Sequence, residues 1–195
     1  MSNFKITTKE DYELAKKITS LRGAKRRGNL IKVGSGFDAH RFQTTTKADN
    51  TIMLCGIAVP CQYEIIAHSD GDVALHALTD ALLGTIGAGD IGQHFPPSDN
   101  KWKNAASDQF VKFVCGLLKE KNAVINNVDI TIIAETPRIG KYREQMRETL
   151  AAILEIDQEN INIKATTTEG MGFTGREEGI ACNAVVTVST LPHKA

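Results

Sequence analysis

VDITIIA (128–134) alternates apolar and polar residues, with Val128, Ile130 and Ile132 on one face. A period of two marks a strand with one side buried. Working outward, NINIKA (160–165) and ACNAVVTVS (181–189) read as further strands, Ile31, Val33 and Phe37 suggest another, and TIMLCGIAVP (51–60) supplies a second extended segment. Between them the period changes. Leu75, Leu78, Leu82 and Ile86 fall at helical spacing within 70–86. Phe110, Phe113, Val114, Leu117 and Leu118 do so within 106–120, and Met146, Leu150, Ile153 and Leu154 within 141–155. Strands faced by helices on one side predict an α+β domain built on a mixed β-sheet.

The 195 residues suffice for one domain plus an extension. At 42% apolar and 24% charged, the composition is that of a globular protein, and no apolar run approaches a membrane span. Residues 1–30 carry eight Lys/Arg against three Asp/Glu, and the remainder 15 against 20. The body therefore has no basic face for nucleic acid. FKITTKEDYELAKKI (4–18) reads as a short extended piece and a helix, and LRGAKRRGN (21–29) as a linker, placing a boundary near residue 30. The domains expected are an extension over 1–30 and a main domain over 31–195. Cys55, Cys61, Cys115 and Cys182 include no C-x-x-C pair and read as reduced thiols in a cytoplasm-like compartment.

GFDAHRF (36–42) sets Asp38 and His40 two apart on an extended run, so both side chains point the same way. His76 follows the turn-rich AHSDGD (67–72) on a helix. Two histidines and a carboxylate form a three-ligand set that leaves a fourth tetrahedral position open, as catalytic zinc requires. Spacing alone does not join His76 to the other two. Asp72 and Asp80, four residues either side of His76, each offer an acceptor for the ring's other N–H.

ATTTEG (165–170) follows a strand and presents the hydroxyls of Thr166, Thr167 and Thr168 beside Glu169, a set suited to phosphate and Mg²⁺. GMGFTGREEG (170–179) is loosened by glycines, and Arg176 can fork onto an anion. A surface hairpin with a capping threonine fits the same letters. In GAGDIGQHFPPSD (87–99), Asp90 suits substrate hydroxyls or simply a turn. His94 and His193 read as structural or exposed. No protein nucleophile stands out, so a substrate carrying its own would be needed.

GFDAHRF, AHSDGDVALHALTDALLGTIGAGDIG, NVDITIIAETP and ATTTEGMGFTGREEGIA together resemble the 2-C-methyl-D-erythritol 2,4-cyclodiphosphate synthase family, over about residues 31–190. The resemblance implies a step of non-mevalonate isoprenoid biosynthesis in a bacterial cytoplasm. Its substrate would be 4-diphosphocytidyl-2-C-methyl-D-erythritol 2-phosphate, and its products the cyclic diphosphate and CMP. Zn²⁺ would sit on Asp38, His40 and His76, and Mg²⁺ or Mn²⁺ on Glu169. His68 and Ser69 match residues that position phosphates and the erythritol. Asp90 and Gly92 match the pocket for its hydroxyls, and Ala134, Pro137, Arg138, Thr166 and Thr167 the cytidine diphosphate contacts. His68, Asp90, Thr167 and Glu169 would be the catalytic set.

The family forms a homotrimer with sites between subunits. Phe173, Arg176 and Glu178 match its central cavity, which can hold an isoprenoid diphosphate. Pro97 and Gly170 depart from the acidic residue and lysine that many members carry. Together with HFPPSD (94–99) they resemble the form fused to a cytidylyltransferase, and the N-terminal segment resembles that enzyme's C-terminal end. The implication is a piece of a bifunctional enzyme without cytidylyltransferase activity, with the pathway's cytidylyltransferase or kinase as partners. A non-catalytic trimeric scaffold binding isoprenoid diphosphate is the alternative from another class.

Overall fold

The structure, a computed structural model, describes residues 30–190 apart from 97 and 103, together with positions 9 and 13. Apart from positions 9 and 13, the expected N-terminal helix lies outside the described residues, as do the linker, the Pro97 departure and His193.

Five strands form the main sheet: β1 (Leu30–Thr46), β4 (Tyr63–Ile66), β5 (Ala123–Ile133), β6 (Ile161–Thr166) and β7 (Gly179–Thr190), in the order β4-β1-β7-β5-β6. β1 and β7 run antiparallel from Leu30 opposite Thr190 to Arg41 opposite Gly179, and β5 pairs antiparallel with β7 and parallel with β6. The sheet is therefore mixed. The alternation in 128–134 holds, with Val128, Ile130 and Ile132 buried.

The segment 51–60 is a hairpin, not one extended piece. β2 (Thr51–Leu54) and β3 (Ile57–Pro60) pair across a two-residue turn at Cys55 and Gly56. Both turn residues have positive φ, 53° and 80°, the geometry that two-residue hairpin turns favour. β4 was not evident in the sequence. It is a four-residue edge strand whose register on β1 shifts between Phe42 and Thr46.

Helices α1 (Val73–Ile86), α3 (Asp108–Glu120) and α4 (Arg143–Leu154) pack on one face of the sheet. The one-turn helices α2 (Ile91–His94) and α5 (Gly172–Gly175) lie in the two stretches expected to be irregular. All of α1 but Asp80 and Gly84 is buried, because the helix is enclosed between sheet and α3 instead of presenting one stripe. In α3 the buried residues are Phe110, Val111, Val114 and Leu118. Phe113 was expected among them, yet it is 46% exposed and turns toward His94 and Phe95. On the opposite sheet face Ile31, Val33 and Phe37 are 64%, 63% and 58% exposed.

Candidate metal centre and its cavity

Gly34, Gly36, Asp38, His40 and Phe42 follow one another on the inward face of β1. A Cβ added at Gly34 would lie 1.9 Å from the Ala81 carbonyl oxygen, and one at Gly36 2.0 Å from that of Ala77. The two glycines thus let α1 rest directly on the strand. Two residues of strand advance about 6.6 Å and four of helix about 6 Å, so contacts repeat in step along both elements. Continuing that march brings Asp38 and His40 level with the first turns of α1, where His76 sits.

Asp72 fixes where α1 begins. Its carboxylate accepts from the amides of Ala74 (3.1 Å) and Leu75 (3.0 Å) as an N-cap, and from those of Cys55 (3.0 Å) and Gly56 (2.7 Å) in the hairpin turn. It is fully buried and bonds to the His76 ring at neither oxygen; the residue meets His76 only through its carbonyl, which accepts the His76 amide at 3.0 Å. Asp80 accepts from the Ile91 amide at 2.7 Å and so docks α2 onto α1. Burial pushes the Asp80 carboxyl up, against the pull of that amide. Neither aspartate serves the histidine, contrary to expectation; both are spent on backbone amides.

The three ligand atoms converge. His40 Nε2 and His76 Nδ1 are 3.0 Å apart, and Asp38 Oδ2 lies 3.0 Å from His76 Nδ1 and 3.1 Å from His40 Nε2. Ligands around a tetrahedral zinc ion, with bonds near 2.0–2.1 Å, stand about 3.3 Å from one another. The set therefore fits a small tetrahedral cation, and it is the sole cluster of this kind among the described residues. Burial works to raise the Asp38 carboxyl, but hydrogen bonds and charge from His40 and His76 prevail and hold it well below the usual carboxylate range.

Behind His76 stand Ser107 and, through it, Asp70, neither of them assigned a role from the sequence, beside the expected Ser69. His76 Nε2 lies 2.9 Å from Ser107 Oγ and 3.0 Å from Ser69 Oγ. The Ser107 hydroxyl donates to Asp70, which also accepts the Ser107 amide at 3.0 Å. Asp70 stands in the AHSDGD turn, and Ser107 opens a helix, so each had a local reading that hid its partner.

Asp38, His40, His68, Ser69, His76 and Gly92 line a cavity of about 280 Å³, closed by Ile91, Phe95, Trp102 and Phe110. Phe95 is the hub of the aromatic wall, with ring centroids 4.5 Å from Phe110 and 4.9 Å from Trp102. Asp90 caps α2 at the cavity's edge, its two oxygens taken by the backbone (3.0 Å) and side-chain (3.1 Å) nitrogens of Gln93. His94, as expected, is structural: its Nε2 meets the Ala88 carbonyl at 2.7 Å.

The second group of expected residues gathers elsewhere. The Ala134 amide donates to the Thr166 carbonyl at 3.1 Å, and Glu135 accepts from the amides of Thr168 (3.2 Å) and Gly170 (3.4 Å). The Thr167 hydroxyl donates to exposed Glu169 at 3.2 Å, that of Thr168 to the Met171 carbonyl at 2.6 Å, and that of Thr166 to the Thr167 carbonyl at 3.0 Å. Pro137 is buried after a cis peptide bond, and Arg138 is exposed. Gly170 has φ +76°, a conformation that suits glycine better than a lysine. The Arg176 guanidinium forks onto Glu178 at 2.8 and 3.3 Å. Phe173 is 40% exposed.

This loop and the metal centre share one end of the sheet but not one pocket. Ile132 stands opposite Cys182, and Cys182 opposite Asp38. From β1 to β6 is three strand spacings, about 14 Å.

The YgbB family model matches residues 31–189. The chain belongs to the YgbB family. It is 48% identical over 186 residues to the bifunctional enzyme IspD/IspF of Caulobacter vibrioides, covering 95% of this chain and 46% of that protein, and so spans about half the length of such relatives. It is 54% identical over 157 residues to 2-C-methyl-D-erythritol 2,4-cyclodiphosphate synthase of Vibrio vulnificus, covering 80% of this chain and 97% of that one. IspF of Plasmodium falciparum, solved as a CDP complex, matches with a TM-score of 0.74 at 31% identity, over 85% of this chain and 99% of that one. The YgbB match agrees with the resemblance in the four sequence motifs.

Proposed function

We propose that this chain converts 4-diphosphocytidyl-2-C-methyl-D-erythritol 2-phosphate into 2-C-methyl-D-erythritol 2,4-cyclodiphosphate and CMP. The convergence of Asp38, His40 and His76 beside a cavity carries the reading. An oxygen of the substrate's 2-phosphate attacks the β-phosphorus in line. As that bond forms, the bond from β-phosphorus to the bridging oxygen breaks, and the oxygen leaves with its electron pair on CMP.

Asp38, His40 and His76 hold Zn²⁺, and Glu169 holds Mg²⁺ or Mn²⁺; when bound, these ions supply the positive charge that offsets phosphate charge in such a displacement. The chain's own residues orient. His68 and Ser69, lining the cavity next to the triad, steady the phosphates. Asp90 and Gly92 hold the erythritol hydroxyls. Ala134, Pro137, Arg138 and Thr166 to Thr168 take the cytidine diphosphate, in keeping with the CDP bound to the Plasmodium relative. Phe95, Trp102 and Phe110 keep water from competing with the internal phosphate.

Within one chain the metal centre and the diphosphate loop open three strand spacings apart, about 14 Å, with no pocket in common. A homotrimer solves this by setting the loop of one subunit against the cavity of the next. The open apolar face of Ile31, Val33 and Phe37 supports such burial. Phe173, Arg176 and Glu178 then ring the central cavity, where an isoprenoid diphosphate fits. Residues 1–30 are read as the end of a cytidylyltransferase module, in line with the bifunctional relatives, and that enzyme and the pathway's kinase as partners. Among the described residues no helix is long and apolar enough to cross a membrane. That and the four free thiols suit a bacterial cytoplasm.

Phosphorus NMR of the linear substrate with Zn²⁺ and Mg²⁺ tests the reaction. Cyclic diphosphate and CMP in equal amounts are expected; no cyclic product would sink the proposal.

A further inference from the structure

We propose that Asp70 and Ser107 form a positioning pair for His76, fixing which ring nitrogen faces the metal and tying that ligand to the cavity's aromatic wall. The proposal rests on the metal reading above and extends it to residues outside the ligand set. With Nδ1 turned to Asp38 and His40, a metal there leaves the proton on Nε2. Ser107 Oγ, 2.9 Å away, accepts a hydrogen bond from that N–H and donates its own to Asp70. Asp70 is fixed in turn by the amides of Ser107 (3.0 Å) and Asp72 (3.3 Å), and its own amide donates to the Ala105 carbonyl (3.1 Å). Ser107 is fully buried, so no solvent competes for its hydroxyl, while Asp70 is half-buried.

Ser107 occupies the N-cap position of α3 yet makes no side-chain cap bond. A serine there ordinarily accepts from an amide of the first turn. Forgoing that bond for His76 and Asp70 is a local rule broken in favour of the site. Ser69 differs: its oxygen also meets His76, but it accepts the Gly71 amide at 3.2 Å and opens onto the cavity.

The same pair pins the wall. The 104–107 backbone is zipped to 68–70 through the Asn104 amide on the His68 carbonyl (2.8 Å) and the Asp70–Ser107 bonds. This holds Trp102 and Phe110 over the cavity, and the Phe110 ring stands 5.9 Å from that of His76. Orientation of the ligand and closure of the wall therefore share one hydrogen-bonded unit.

The test is the zinc affinity of the folded chain, read by competition with a chromophoric chelator. Ser107→Ala and Asp70→Asn are each expected to bind zinc about 10- to 100-fold more weakly, with Ser107→Thr restored toward wild type and Ser69→Ala affected less. Circular dichroism establishes that each variant is folded at the assay temperature, and Asp70→Asn carries the test should Ser107→Ala fail to fold. Wild-type affinity in the folded variants would overturn the pair's role while leaving the metal reading intact. A wild-type chain that takes no zinc would overturn both.

Discussion

The carbonyl oxygen of Ala77 lies so near Gly36 that a Cβ there would approach it to 2.0 Å. The clash is with helix backbone, which cannot rotate away as a side chain would. Gly36→Ala must therefore push α1 off β1, and His76 away from Asp38. A stability loss of about 3 kcal/mol is expected, the upper end of overpacking costs. Urea unfolding should show it, together with weaker zinc binding in the folded protein.

Asp72→Ala strands four amide hydrogens, two at the start of α1 and two in the Cys55–Gly56 turn. Caps and charge-assisted hydrogen bonds of this kind lead to an expected loss of about 3 kcal/mol. Asp72→Asn should lose less, since its oxygen still accepts. Denaturant midpoints of the two variants give the comparison.

Stripping the metal with a chelator should abolish cyclisation, and zinc should restore it. His76→Ala should lower turnover at least roughly 100-fold, and added zinc should not rescue it. Retained turnover in the metal-free protein would contradict the role assigned to the triad.

The proposed sharing of sites between subunits predicts complementation. His76→Ala and Glu169→Ala, each inactive alone, should regain activity when unfolded and refolded together, because mixed trimers contain some sites with both residues intact. Phe37→Asp, on the open sheet face, should yield smaller species in sedimentation and lose activity with them. Full activity from a monomer would exclude a shared site.

Much of the fold was legible because period carries it. Alternation in 128–134 and helical spacing in 70–86, 106–120 and 141–155 each depend on residues close in sequence. What escaped depended on contacts between distant segments. Phe113 has the right spacing for the core, but the neighbouring His94 and Phe95 turn the stripe away from it. β4 is four residues on an edge, too short for a pattern.

The site divides the same way. Asp38 and His40 were readable as a pair because strand geometry joins i and i+2. His76 joins them through the glycines that seat α1, which no spacing rule reports. The Asp70–Ser107 bond spans 37 positions. It was concealed by serine's ordinary role as a helix cap, just as Asp72 and Asp80 invited a role that backbone amides had already claimed.

In the proposed reaction a phosphate of the substrate, not water, attacks the β-phosphorus. Turnover in oxygen-18 water, with mass analysis of both products, tests it most directly. Unlabelled CMP and unlabelled cyclic diphosphate are expected. Oxygen-18 in CMP or in a linear erythritol phosphate would mean that water had attacked, and would contradict the proposal.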